Sequence, residues 1–66
     1  MRKWLVEARG KRTQKEIAEA AGIAQSTYAS IELGTRDPSV KVAKQLAVVL
    51  GVVWTRFYEE VRKTNG

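Results

Sequence analysis

Residues 13–34 read TQKEIAEAAGIAQSTYASIELG, and this stretch decides the fold. Thr13 and Glu16 have the spacing of a capping box, in which the side chain of each residue bonds to the backbone N–H of the other at a helix start. Gly22 follows a short apolar stripe, where the end of a helix favours a left-handed residue. A second helix at about 25–33 carries small polar side chains. The pattern predicts two short helices joined by a tight turn, which is a helix-turn-helix.

Apolar residues at helical spacing predict the rest of the fold, and no run alternates as a strand would. The other expected helices lie at about 2–9, 40–50 and 54–63. We therefore expect an all-α fold of five helices in one domain, 1–66, with a frayed tail at 64–66. Ala24 and Val53 stand at helix starts where Ser, Thr, Asp or Asn is preferred, and each forgoes about 1 kcal/mol of stabilisation.

The composition argues against an enzyme. The 66 residues include no Cys and no His, which removes disulfides, thiolate zinc sites and the commonest general base. The seven carboxylates are spread over helix surfaces without a Gly-rich phosphate loop to complete a site. We expect no catalytic residue, no metal and no cofactor.

The charge of the chain is concentrated near its beginning. The net charge is +5, and residues 1–15 hold six basic side chains against one acidic side chain. Residues 16–66 are balanced, so the excess indicates contact with a polyanion near the start of the chain. No apolar run approaches the roughly 18 residues of a membrane span, and no signal peptide is recognisable. The expected location is cytoplasmic.

The helix-turn-helix stretch and the later segment RDPSVKVAKQLAVVLGV, residues 36–52, resemble the Xre family of regulators. That family includes the phage lambda repressor and Cro proteins, and the resemblance runs from about residue 4 to residue 60. It implies a compact five-helix domain that binds double-stranded DNA and usually represses transcription as a dimer. The expected setting is a bacterial nucleoid, or a phage or mobile element.

The polar face of helix 25–33 fits the chemistry of the major groove, which displays hydrogen-bond donors, acceptors and thymine methyl groups. Gln addresses adenine through two bonds, Ser donates or accepts, and an Ala methyl can touch a thymine methyl. In the family, the first residues of this helix and one residue a turn later contact bases. By position, the resemblance implies base contacts from Gln25, Ser26 and Ser30, with Ala24 and Ala29 as apolar contacts.

The resemblance also implies a set of contacts to the DNA backbone. Phosphate contacts set the register and supply affinity, while base contacts set the sequence. Gln14 is expected to bond a phosphate and to brace Gln25. Many relatives have an arginine in the first helix that pairs with the residue matching Glu32, but this chain has Glu7 at that position. Either Arg9 takes over that pairing or the pair is absent. The expected backbone contacts are Gln14, Lys11, Arg12, Lys15, Thr27, Thr35, Arg36 and Lys41.

One small domain reads too few base pairs, so we expect a homodimer on a pseudo-palindromic operator. The last helix carries more apolar surface than one small core needs, and Trp54, Phe57 and Tyr58 are the expected interface. The alternative is that this surface closes the core of the monomer. Two other functions remain open: an antitoxin or restriction-modification controller of the same fold, or a protein-interaction module without DNA readout.

Overall fold

The computed structural model describes residues 1–59 and contains helices where the sequence predicts them. The helices are α1 (Lys3–Arg9), α2 (Gln14–Ala21), α3 (Gln25–Leu33) and α4 (Val40–Leu50), and residues 56–59 form helical segment α5. Within residues 1–59 there is no strand, and the all-α prediction is confirmed. No helix of this described range combines the length and apolarity needed to cross a membrane.

The start and end of α2 follow the local signals in the sequence. The Glu16 backbone N–H donates to Thr13 Oγ1 at 3.0 Å, and the Thr13 N–H donates to the Glu16 carboxylate at 2.7 Å, so the capping box is confirmed. Gly22 has a φ of +73°, the left-handed conformation that glycine adopts without strain. The Ile23 N–H then bonds back to the Ala18 carbonyl at 2.9 Å. These bonds fix the turn between α2 and α3.

The core draws on all five helical segments, and Ala18 leaves room for α3 to pack closely on α2. Its largest side chains, each less than 2% exposed, are Tyr28, Phe57, Leu5, Ile17, Ile31 and Leu46. The Phe57 ring meets the Trp4 ring edge-on, with centroids 5.0 Å apart. Phe57 therefore lies inside the monomer and has no surface for a second subunit, which corrects its assignment to a dimer interface.

Arg2 is buried, with only 4% of the residue exposed, so it does not contribute to a basic surface. Its backbone N–H donates to the Glu32 carbonyl at 2.8 Å. Its guanidinium donates to the carbonyls of Ile31 and Arg36 and pairs with the Asp37 carboxylate. Arg2 occupies the position before the first turn, and α1 begins at Lys3, one residue later than expected.

The predicted last helix, 54–63, is only partly within the described residues. Residues 54 and 55 form a turn, and the helical segment begins at residue 56. The Arg56 N–H bonds to the Val53 carbonyl at 3.1 Å, a short-range bond that belongs to this turn. The remainder of that helix and the expected frayed tail at 64–66 lie outside the described residues.

Candidate nucleic-acid interface

Helix α3 has one face in the core and one face in solvent. Tyr28 and Ile31 are fully buried, whereas Gln25 and Ser26 are exposed at its amino-terminal end. Because the inward side chains are locked in the core, the outward ones are held on a fixed support. All five predicted base contacts reach the surface: Ala24, Gln25 and Ser26 are exposed, and Ala29 and Ser30 are half-buried. Their contact with DNA stays a prediction.

The polar atoms of this face differ in how they are already bonded. The side chains of Gln25 and Ser26 form no hydrogen bond with any other residue in the range 1–59, so their donors and acceptors face solvent. The Ser30 hydroxyl donates to the Ser26 carbonyl at 3.0 Å. Gln25 thus offers both halves of an amide, which is what a bond pair to adenine requires.

Glu32 lies at the centre of a hydrogen-bond network beneath α3, with 3% of the residue exposed. Arg9 Nε donates to one carboxylate oxygen at 2.7 Å, and Arg9 Nη2 donates to the other at 3.2 Å. The Gln14 side-chain nitrogen donates to the same carboxylate at 3.0 Å. The partner of Glu32 is therefore Arg9. The expected brace is corrected, because the Gln14 amide bonds to Glu32 instead of Gln25.

These contacts hold Glu32 in its charged form. Burial raises the pKa of Glu32, but hydrogen bonds from Arg9 and Gln14 oppose that effect and leave the pKa below its ordinary value. The hydrogen bond to Glu32 raises the pKa of Arg9. Burial, and secondly the nearby carboxylate of Glu32, raise the pKa of Tyr28. The network is therefore an ion pair at neutral pH, and it fixes the Gln14 side chain at the start of α2.

The predicted DNA-backbone contacts fall into two groups. Lys11, Lys15, Arg36 and Lys41 are exposed cations, and Thr27 is half-buried on α3. The Arg12 guanidinium instead donates to backbone carbonyls, to Val49 at 3.0 Å and to Ala8 and Arg9 at 3.3 Å each. Arg12 thereby joins the carboxyl ends of α1 and α4, where a cation is favourable. The Thr35 hydroxyl also has a partner, the Ser30 carbonyl at 3.3 Å.

The region expected to form a dimer contact keeps two of its three predicted residues at the surface. Trp54 and Tyr58 are half-buried, with their rings edge-to-face at 6.0 Å. The Tyr58 hydroxyl donates to the Pro38 carbonyl at 2.6 Å, and Lys44 Nζ lies 5.1 Å from the Trp54 ring centroid. Val53, which directly precedes Trp54, is 66% exposed. The exposed apolar surface therefore begins at the turn before α5.

Sequence reasoning missed Arg2 as a structural residue, and no local signal could have revealed it. Its bonds reach 29 to 35 residues along the chain, beyond the range of caps and helical spacing. Within residues 1–59, no three acidic side chains come together in a group that could hold a metal ion.

Comparisons with known proteins identify the family of the chain. A family model described as helix-turn-helix matches residues 3–53. The chain is similar to YqaF of Bacillus subtilis strain 168, named as an uncharacterized HTH-type transcriptional regulator, with 49% identity over 63 residues that cover 92% of this chain and 83% of YqaF. It is also similar to MJ0272 of Methanocaldococcus jannaschii, which has the same description, with 40% identity over 40 residues that cover 61% of each chain. No solved structure matches the chain significantly. The chain therefore belongs to the helix-turn-helix family of Xre and lambda-repressor-like regulators.

Proposed function

We propose that this protein is a sequence-specific regulator of transcription that represses by placing α3 in the major groove of double-stranded DNA. The observation that supports this most directly is the division of α3: its apolar side is locked in the core, and Gln25 and Ser26 stand exposed with unbonded polar atoms. Small side chains let a helix approach base edges closely. Membership of the helix-turn-helix family supports the same function.

Exposed cations occur on both sides of α3 in the chain and would supply most of the affinity. Lys11 and Lys15 flank the start of α2, and Arg36 and Lys41 follow the end of α3. Lys and Arg that meet phosphates displace condensed counterions, so binding gains free energy and becomes sensitive to salt. The exposed cations would position the protein, while Gln25, Ser26 and Ser30 would select the sequence.

A homodimer would bring two copies of α3 to successive half-sites of a pseudo-palindromic operator. The centres of such half-sites lie about 34 Å apart, one turn of B-DNA. The apolar surface at Val53, Trp54 and Tyr58 supports a contact between subunits, because it is only partly covered within the described residues. Phe57 contributes indirectly, by anchoring α5 in the core.

Selection of binding sites from random duplexes, followed by salt titration on the recovered duplex, tests the proposal. We expect an inverted repeat whose half-sites are one helical turn apart. A dimer that neutralises roughly eight phosphates should lose about 10³- to 10⁵-fold in affinity between 50 and 200 mM salt. Recovery of no preferred sequence, or binding to a partner that ignores salt, would favour a protein-interaction module instead.

A further inference from the structure

The hydroxyl of Ser30 has its hydrogen directed into the helix. Ser26 and Ser30 are four residues apart and share one face of α3. Ser30 Oγ donates to the Ser26 carbonyl at 3.0 Å. A serine hydroxyl has one hydrogen and two acceptor lone pairs, and no donor among residues 1–59 bonds to this oxygen. The polar surface that Ser30 presents is therefore an acceptor.

The surrounding contacts hold the Ser30 backbone in place. Its own carbonyl accepts from the Gly34 N–H at 3.0 Å, from the Thr35 N–H at 3.1 Å and from the Thr35 hydroxyl at 3.3 Å. Ser30 itself is half-buried, so the helix end cannot shift to present the side chain differently without breaking these bonds. Turning the hydroxyl outward as a donor would forfeit its bond to Ser26, equivalent to roughly 2- to 10-fold in binding.

The major groove distinguishes donors from acceptors on each strand. Adenine N6 and cytosine N4 carry amino groups, whereas guanine and thymine present only acceptors and, for thymine, a methyl group. We propose that Ser30 acts as a hydrogen-bond acceptor and selects an amino-bearing base, adenine or cytosine, on the strand that it faces. This inference rests on the proposed function and adds the polarity of one contact to it.

Ser30 and Gln25 should leave different signatures in an operator. The exposed Gln25 amide both donates and accepts, so it can restrict a position to adenine alone. An acceptor by itself cannot tell adenine from cytosine. Each half-site should therefore contain one position fixed by Gln25 and another that tolerates adenine or cytosine but rejects guanine and thymine.

Site selection with the wild-type protein and Ser30→Ala locates the position that Ser30 reads. We expect one position per half-site to hold adenine or cytosine with the wild type and to lose that restriction with Ser30→Ala. Gln45→Ala serves as the control, because Gln45 is exposed on α4 and lies outside the helix proposed to read the bases. It should leave the amino-restricted position unchanged. Circular dichroism of both variants should match that of the wild type.

A change of one functional group on the DNA then tests the polarity directly. At the position so located, purine replaces adenine, or pyrimidin-2-one replaces cytosine, which removes only the amino group. The wild type should bind the altered duplex roughly 3- to 10-fold more weakly, and Ser30→Ala should bind both duplexes equally.

Three results would overturn the role of Ser30 while leaving DNA binding intact. The first is selection of guanine or thymine by the wild type at the position where Ser30→Ala loses its base preference. The second is an equal loss of affinity for the altered duplex by the wild type and by Ser30→Ala. The third is that Ser30→Ala keeps the wild-type base preference at every position. If the wild type selects no sequence, the proposed function falls, and the role of Ser30 falls with it.

Discussion

Single side chains on α3 differ in whether their polar atoms already have partners, and Gln25 is the clearest unbonded one. Replacing Gln25 with Ala should weaken specific binding by about 1–3 kcal/mol and relax preference at one base position. Stability should change by less than about 0.5 kcal/mol, because an exposed side chain is removed. Binding titrations and denaturant unfolding measure the two effects.

Gln45 provides the matched control for this change, since it is an exposed glutamine on α4 and outside the expected interface. Gln45→Ala should alter neither affinity nor base preference. If Gln25→Ala also left both unchanged, the outer face of α3 would not be the surface that reads DNA.

The buried carboxylate of Glu32 makes stability depend on acidity. Its pKa is lowered overall, because hydrogen bonds from Arg9 and Gln14 outweigh the opposite effect of burial. Such a group contributes stability above its unfolded-state pKa, near 4.5, and that contribution is lost as the pH falls through the lower folded-state value. The free energy of unfolding should therefore decrease as the pH is lowered from 5 toward 3. Urea unfolding curves recorded at each pH measure this decrease.

Glu32→Gln should remove part of this pH dependence and lower the free energy of unfolding at pH 7 by about 3 kcal/mol, because Arg9 loses its ionic partner. Glu7→Gln, at an exposed position of α1, is the control and should be nearly neutral. An unchanged acid transition in Glu32→Gln would mean that other carboxylates dominate it.

Helix α3, like α1, begins without a hydrogen bond from a capping side chain. Ala24 has the extended backbone of a cap residue, with φ −70° and ψ 146°, but no side chain to bond the first turn. Ala24→Ser and Ala24→Asp should each raise the free energy of unfolding by about 1 kcal/mol. The aspartate should also weaken DNA binding, because its charge would lie beside Gln25 and near the phosphates of a duplex bound at α3. Denaturant unfolding and binding titrations check the two effects.

The serine variant separates the two effects, since it adds a cap without adding charge. It should bind DNA more tightly than Ala24→Asp at equal stability. If both variants bound DNA as the wild type does, the amino-terminal end of α3 would lie away from the duplex.

The bounds of α2 and α4 and the end of α3 could be predicted, because their start and stop signals are local. Thr13, Gly22 and Gly34 act on residues within one or two turns, and the observed helix ends agree with them. The bonding of the candidate site could not be predicted in the same way. Arg12 donates to a carbonyl 37 residues away, and the Gln14 partner lies 18 residues away, so only the folded chain reveals them.

For the molecule as a whole, the exposed apolar surface at Val53 is where we expect two copies to meet. Val53→Glu places a charge on a side chain that is 66% exposed, so the fold should survive while a contact at this surface weakens. Sedimentation at micromolar concentration should show a shift from dimer toward monomer, with at least about 10-fold weaker association. Repeating the sedimentation measurement with operator DNA tests whether DNA binding restores the dimer of the Val53→Glu variant.

Ala20→Glu is the control, because Ala20 is also exposed but lies on α2, apart from the surface at Val53, Trp54 and Tyr58. It should leave the sedimentation behaviour unchanged. A wild-type protein that stays monomeric even on operator DNA would exclude this mode of assembly.

The bonds from Arg2 and Arg9 to the carboxyl-terminal part of α3 also have a consequence for folding. Since both arginines belong to the first nine residues, α3 cannot loosen at that end unless the start of the chain detaches with it. Amide hydrogens at residues 31 to 34 should therefore exchange with deuterium only when a larger cooperative unit opens, and that unit includes α1. Arg2→Ala should uncouple that unit, so these amides would exchange faster than those of α4.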